Sequence, residues 1–495
     1  MSRKVYSNFI AGKWSQAEGK GKFENRNPAD FRDVIGVFPL STTVEVDKAV
    51  HAAAKAYDGW RLTPAPKRAS IIAKTGELLL KHKEELARLM TREMGKVLKE
   101  TRGDVQEGVD MAAYVAGEGR RLLGETTTSE LKNKLAMTLR MPIGVCGMIT
   151  PWNFPIAIPT WKIFPALICG NTVVFKPAED TPASAVRFVE ILEQAGLPTG
   201  VVNLIHGGPA AGQALVRHPE VRVVSFTGSC EVGREVASNC GRMLKRCSLE
   251  MGGKNAQIVM GDADLDLALE GALWGAFGTT GQRCTATSRI YLHHKIYASF
   301  VKSFVRQAKK IRVGNGLRSN VQMGPLINEA QRNRVHEYVK IGVGEGAKLE
   351  CGGRIAKGPG LKNGFFYVPT VFTHAHSEMR IIREEIFGPV VSLMKVKSLD
   401  EAVTEVNKSA YGLSSSIYSN DIANAMKAVR DIEAGITYVN GPTIGAEVHL
   451  PFGGVKNTGN GHREAGKTAL DIFSEWKSVY IDFSGKLQKA QIDTD

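Results

Sequence analysis

Cys284 lies in the segment GTTGQRCTATSR, where small residues would let a substrate approach the sulfur closely. A cysteine nucleophile needs access and thiolate character, whereas most cysteines pack as inert small hydrophobes, so Cys284 takes its meaning from its company. Asn153, in WNFP, carries the neutral amide donor that an oxyanion calls for, and asparagine before an aromatic-proline turn also suits turn chemistry. Lys176 and Glu179, in FKPAED, close an apolar run; they either hold the two hydroxyls of a ribose or form an ordinary exposed ion pair. SFTGSCEVG (225–233) spaces Gly228 and Gly233 as a turn that opens a helix against a phosphate-bearing ligand. Arg234 follows Gly233, so the Lys-Ser/Thr ending of a nucleotide-hydrolase P-loop is missing, and GGPAAG (207–212) departs from GxGxxG. Either turn alone is also described by a plain tight turn.

These groups need elements to position them. Residues 44–123 read as successive helices, with Ile71, Ile72, Leu79, Leu86, Leu89 and Met90 near helical spacing between charged faces. From about Ile143 the texture changes to short apolar runs, Ile143 to Thr150, Thr172 to Phe175, Val201 to Ile205 and Val221 to Phe226. Helical stretches such as Ala183 to Gln194 and Ala210 to Val216 lie between them. Strands alternating with helices imply an α/β fold with a largely parallel sheet and ligands at the strand C-terminal ends. A second alternation spans roughly 256–452, joined to the first by a candidate hinge near 250–256. Segments 124–142 and 470–484 read as extended and suit a small extra sheet used in association.

A chain of 495 residues is long enough for two or three packed units with a cleft between them. With 43% hydrophobic and 23% charged residues it has the composition of a globular protein, and the +14 charge (64 basic against 50 acidic) is scattered rather than gathered into a nucleic-acid footprint. Seven cysteines form no CxxC pair and no zinc spacing, so reduced thiols, no metal and a cytoplasmic location are expected. The segment MSRKVYSNFIAGKW has no signal-peptide run, and no stretch reads as a membrane span.

TPWNFP, FKPAEDTP, FTGSCEVG, LEMGGKN, GQRC, EEIFGPV and PFGG follow one another across residues 150–454 and closely resemble the motifs of the aldehyde dehydrogenase superfamily. The resemblance extends from NFIAGKW to FSEWKSVY. It implies a Rossmann-type cofactor domain (1–123 and 143–252), an α/β catalytic domain (253–452), and an oligomerisation sheet with C-terminal tail (124–142 and 453–495) of a homodimer or homotetramer. It makes Cys284 the nucleophile, Asn153 the oxyanion donor together with the cysteine N–H, and Glu250 the general base. It places the cofactor along Ile149, Thr150, Pro151, Trp152, Lys176, Ala178 and Glu179, then Gly208, Gly212, Phe226, Gly228, Ser229 and Val232. Met251, Gly252, Glu385 and Phe387 complete the path, the last two beside the nicotinamide end. Glu179 would accept from a ribose 2′-hydroxyl and repel a 2′-phosphate, so NAD is expected ahead of NADP.

Glu250 favours hydrolysis of a thioester over transfer to coenzyme A, a CoA-acylating enzyme being one alternative and a non-catalytic nucleotide-binding or structural member of the fold another. Arg283 beside the nucleophile offers a bidentate fit to a distant carboxylate, or else turns away into a structural ion pair. The first reading makes the substrate a semialdehyde acid. Val105-Gln106-Glu107 and Gly445-Ala446-Glu447 resemble the α-aminoadipic semialdehyde branch, making Glu107, Gly445 and Ala446 candidate contacts. GEGRRLLGE (117–125) is more like enzymes of oxo-acid semialdehydes, and both substrate classes stay open.

Overall fold

The structure is a computed structural model that describes residues 4–19 and 21–492. Its centre is a seven-stranded sheet in the order Arg246–Glu250, Val221–Thr227, Val145–Ile149, Thr172–Lys176, Val202–Leu204, Asn8–Ile10, Lys13–Ser15. The first five strands are parallel, and the last two join antiparallel. Chain order reverses between Val145–Ile149 and Val221–Thr227, the switch point at which open α/β sheets receive ligands. Strand residues alternate between two cores, with Val145, Ile149, Val174 and Val224 on one face and Cys146, Met148, Val173 and Val223 on the other. Both faces are therefore buried, which is why these strands read as continuous apolar runs.

The expected helices are Thr43–Leu62, Ala65–Lys81, Lys83–Met94 and Leu98–Glu118, the first started by a capping box between Thr42 and Glu45. Helix Ala157–Cys169 is apolar nearly all round and almost wholly buried, the condition for sitting inside a domain.

A second seven-stranded sheet runs Lys348–Cys351, Thr370–Thr373, Val390–Val396, Thr287–His293, Asn255–Val259, Ser414–Tyr418, Ile436–Val439, parallel except for its first strand. Its strand residues also divide between two cores. A three-stranded antiparallel sheet pairs Ser474–Asp482 with Lys134–Pro142 and the latter with Thr126–Thr128. The extended reading of 470–484 needs one correction: Ala469–Ile472 is a helical turn, and the strand begins at Ser474. The hairpin of Lys22–Asn27 with Asp30–Pro39 and the N-terminal strands on the first sheet had no expected counterpart. Among the described residues no helix is long and apolar enough to cross a membrane.

Candidate active site

Strand Arg246–Glu250 leaves the C-terminal edge of the first sheet and, through Met251–Lys254, enters the N-terminal edge of the second at Asn255. The two edges face one pocket of about 700 Å³, lined by Glu107, Phe154, Ile158, Trp161, Thr227, Glu250, Met251, Arg283, Cys284, Thr285, Gly445, Ala446, Phe452 and Glu464. The pocket meets strand C-terminal ends, at Thr227 and Glu250, in the first sheet alone. Cys284 precedes strand Thr287–His293, so the second sheet contributes the opposite edge.

Cys284 is half-buried, and its carbonyl accepts from Asn255 Nδ2 (2.7 Å). The turn before it is strained: Thr279 and Thr280 take φ of 52° and 60°, and Gly281 takes 68°. A Cβ on Gly281 would lie 2.2 Å from the Gly388 carbonyl oxygen, so this glycine is small for the sake of packing against the 388 loop. The expected easy approach of substrate to the sulfur thus does not explain Gly281. Burial, then the nearby carboxylates of Glu250 and Glu385, push the Cys284 thiol up to about 12.

Glu250 ends its strand with both carboxyl oxygens buried and without hydrogen-bond partners among the described residues. Burial first, and the Glu464 carboxylate second, raise it well above the ordinary glutamate range. Glu464 is itself held by a buried ion pair with Lys162, whose ammonium also donates to Ser225 Oγ (2.9 Å). A thiol and an unpaired carboxyl sharing a pocket can exchange a proton, and such a carboxyl can also take one from water.

Asn153 is not among the pocket's lining residues, but it lies buried against the turn before Cys284, its Nδ2 donating to the Gln282 carbonyl (3.1 Å). A buried Lys96–Asp104 pair fixes this loop: Lys96 Nζ donates to the Asn153 carbonyl (2.9 Å), and Asp104 Oδ1 accepts from Ala157 N–H (2.7 Å). The asparagine amide is therefore set by helix Leu98–Glu118 and helix Ala157–Cys169 together.

Arg283 resolves the two sequence readings by combining them. It lines the pocket, yet Nη2 lies 3.4 Å from Glu100 Oε1, Nε donates to Thr279 Oγ1 (2.8 Å), and the guanidinium sits by the rings of Phe154 and Trp274. Glu107 is pushed up to about 8, by burial first and the neighbouring Asp104 second, and so holds its proton at neutral pH. Gly445 and Ala446 line the same pocket.

The remaining candidates run along the first sheet's C-terminal edge. Ile149, Thr150, Pro151 and Trp152 leave the central strand, and the Trp152 ring meets Phe387 edge-on at 5.5 Å. Lys176 is buried, donating to the Pro177 (2.9 Å) and Gly207 (2.7 Å) carbonyls, and lies 3.5 Å from Glu179. Ala178 sits in the loop between this pair, and Gly208 and Gly212 face it: a Cβ on Gly208 would come 3.0 Å from Glu179 Oε1, and one on Gly212 3.7 Å from the Lys176 chain. Ser229 caps helix Cys230–Arg242, its side chain accepting from Val232 N–H. Gly228 and Gly233 let that helix start press on Phe226 and Met251, where a Cβ would lie 2.5 and 2.3 Å away. A Cβ on Gly252 would lie 2.1 Å from Glu385 Oε2, while Glu385 Oε1 accepts from Gly253 N–H (3.0 Å). Phe387, at φ 58°, is pinned by Gln331 Nε2 on its carbonyl (2.7 Å).

Sequence reasoning missed Phe154, Ile158, Trp161, Thr227, Thr285, Phe452, Glu464 and Lys162 as parts of the site. Ile158 and Trp161 are three apart on one face of helix Ala157–Cys169, and Lys162 is a lone charge in that apolar helix; both signals were available. Glu464 had none, since it reaches the site through a chain return that only the fold makes.

Residues 14–479 match the aldehyde dehydrogenase family. The chain is 41% identical over 478 residues to alpha-ketoglutaric semialdehyde dehydrogenase of Bacillus subtilis, covering 96% of this chain and 98% of that one. It is 42% identical over 475 residues to 2,5-dioxopentanoate dehydrogenase of Saccharolobus solfataricus, covering 95% and 98%. Among solved structures, betaine aldehyde dehydrogenase from Staphylococcus aureus in complex with NAD+ superposes with a TM-score of 0.95 at 34% identity, covering 97% of this chain and 96% of that one. An NAD-dependent aldehyde dehydrogenase from Sinorhizobium meliloti gives 0.95 at 36% identity, covering 99% and 97%. Agreement in sequence over nearly the full length, in fold, and in the order of the site motifs has one meaning: this chain belongs to the aldehyde dehydrogenase family.

Proposed function

We propose that this protein oxidises a semialdehyde acid to the dicarboxylic acid with NAD as hydride acceptor, through a covalent intermediate on Cys284. The observation that carries this reading is one pocket lined by a thiol, an arginine and a buried carboxyl that has no partner among the described residues. Relatives named for alpha-ketoglutaric semialdehyde and 2,5-dioxopentanoate support an oxo-acid semialdehyde over an amino-acid one.

The residues fit a dinucleotide. The Gly208 and Gly252 surfaces leave room that a side chain would close, the N-terminus of helix Cys230–Arg242 offers N–H groups to a pyrophosphate, and Lys176 with Glu179 suits a ribose. NAD is preferred because Glu179, partly exposed, would face a 2′-phosphate with like charge; NADP is the weaker alternative. When bound, the cofactor supplies the acceptor for the aldehyde hydride.

Cys284 Sγ adds to the aldehyde carbon and passes its proton to Glu250, giving a thiohemiacetal. Asn153 has a second amide N–H beyond the one given to Gln282, and with the Cys284 backbone N–H it meets the oxyanion. Loss of hydride leaves a thioester on Cys284. Glu250 first gives that proton to solvent and then, ionised, deprotonates a water that attacks the thioester carbon; the sulfur leaves, takes back the proton that came from the water, and the acid is released. The Lys162–Glu464 pair lies behind Glu250 and fixes the charge that it feels. Arg283 and protonated Glu107 receive the substrate's distal carboxylate, the first by charge and the second as a hydrogen-bond donor. Around this core the exposed Trp476 and Tyr480 of the three-stranded sheet suit self-association into a dimer or tetramer.

The test is NADH formation with a panel of propanal and succinic, glutaric, α-ketoglutaric and α-aminoadipic semialdehydes, with and without coenzyme A. Turnover strongest with an oxo-acid semialdehyde and indifferent to coenzyme A supports the reading. Dependence on coenzyme A, or silence across the panel with NAD still bound, overturns it in favour of acyl transfer or of a non-catalytic role.

A further inference from the structure

The expectation of no metal rested on local spacing, whereas folding brings two histidines and two carboxylates from distant segments together on one surface. Asp47 and His51 stand one turn apart on helix Thr43–Leu62. His218 caps the C-terminus of helix Pro209–Arg217, and Glu220 precedes strand Val221–Thr227. His218 Nε2 lies 3.2 Å from Asp47 Oδ1, His51 Nδ1 lies 3.1 Å from Asp47 Oδ2, and His51 Nε2 lies 3.5 Å from Glu220 Oε2. One ligand-type atom each from Asp47, His51 and His218 falls within 4.8 Å of the others. Zinc bonds of about 2.0–2.2 Å set neighbouring ligands of a tetrahedron roughly 3.3–3.6 Å apart, close to the spacing of these pairs. His51 Nδ1 also lies 2.9 Å from the Asp47 carbonyl, the kind of contact that fixes an imidazole tautomer and leaves Nε2 free as a ligand. Lys245 anchors the backbone at His218, donating to the Val216 (2.7 Å) and His218 (2.5 Å) carbonyls. Asp47 and His51 are exposed and His218 is half-buried, so an ion in solution has access to the cluster.

We propose that Asp47, His51, His218 and Glu220 bind one zinc ion, at a metal site separate from the active site. Imidazole and carboxylate are ligands that zinc accepts, and the two carboxylate charges match the charge of the ion. Both histidines ligate through Nε2. At His218 the proton that Nε2 shares with Asp47 moves to Nδ1, and the exposed contact of Glu220 N–H with Nδ1 (3.2 Å) is given up. The ion ties helix Thr43–Leu62 to the turn that leads into the N-terminal end of strand Val221–Thr227. The reacting groups stand at the other edge of that sheet, where Thr227 and Glu250 face the pocket. Zinc here therefore acts on stability rather than on the chemistry, because only the folded chain gathers all four ligands.

The experiment uses the full, untagged chain, reduced and stripped of metal by a chelator, then titrated with zinc chloride in a calorimeter, with cobalt chloride as the spectroscopic probe. The parent is expected to bind one equivalent of zinc that Cys284→Ser retains and that His51→Gln, His218→Gln and Asp47→Asn each lose. Glu220→Gln should weaken the same equivalent by about tenfold to a hundredfold. Cobalt at this equivalent should show the visible bands of nitrogen and oxygen ligands without the near-ultraviolet band of a thiolate ligand. Without zinc, His51→Gln should melt together with the parent, and only the parent should gain in Tm when zinc is added. Zinc binding unchanged in His51→Gln, a thiolate band at the first equivalent, or no binding by the parent would each overturn the proposal. Should His218→Gln fold poorly because its helix loses its cap, His51→Gln, altered at an exposed side chain, decides the matter.

Discussion

Two sets of groups on the pocket wall are built on opposite principles. In one, Glu250 has two buried oxygens and Thr227 a buried hydroxyl without partners among the described residues, and burial pushes the Cys284 thiol up. Leaving buried polar groups unpaired is costly, and natural proteins keep such sites few. In the other, Arg283 is already engaged by Glu100 and Thr279 and flanked by two aromatic rings. Under the proposed function the contrast separates two tasks: groups that would change protonation are kept unsatisfied, while a group that would recognise charge is held ready, so little ordering would remain to be done on binding.

Removing the thiol is the most severe way to break the comparison. Cys284→Ala should lower kcat by roughly ten-thousand-fold or more, measured by NADH formation, since no covalent route remains. A loss of less than tenfold would assign the chemistry elsewhere.

Glu250→Gln should lower steady-state kcat by about a hundredfold to ten-thousand-fold, with the slowing read against the first turnover in stopped flow. Its effect on stability has the opposite sign. Because the folded Glu250 pKa is raised, its favourable share is complete below the unfolded value and is lost as pH rises toward the folded one. The variant should therefore gain in Tm over the parent as pH climbs from acid to neutral. A variant less stable at neutral pH would mean that the Glu250 carboxyl is paired in the folded protein after all.

At Arg283 and Glu107 the expected effects are smaller and fall on KM. Arg283→Ala should raise KM for a semialdehyde acid about tenfold to a hundredfold, the range of a charge-assisted hydrogen bond, and leave KM for propanal unchanged. Equal changes for both substrates would reduce Arg283 to its pair with Glu100. KM for the same acid should also rise as pH passes about 8, where Glu107 loses its proton, and Glu107→Gln should flatten that rise. Farthest from the reacting atoms, Glu179→Ala should raise KM for NAD about five- to tenfold while narrowing the gap to NADP, and an unchanged gap would move cofactor choice to another residue.

Much of the fold was legible because both large sheets are buried on two faces, so that Val145–Ile149, Thr172–Lys176 and Val221–Thr227 stand out as apolar runs. The short strand Asn8–Ile10 and the hairpin at 22–39 were not, because their pairing partners lie far away or their faces are mixed. In the site, Cys284, Asn153 and Glu250 were marked by motif, whereas Glu464 follows no local pattern and enters through its pair with Lys162, 302 positions away.

Residue type and local spacing alone determined the kind of chemistry on offer, the alternation of strands and helices, and the family resemblance, since each depends on neighbours along the chain. Only the tertiary structure decided that Gly281 is small for Gly388 and that Arg283 is shared between pocket and Glu100. Burial, electrostatic environment and contact between distant segments are properties of the packed chain, and those properties move a proton on Glu250 or Cys284.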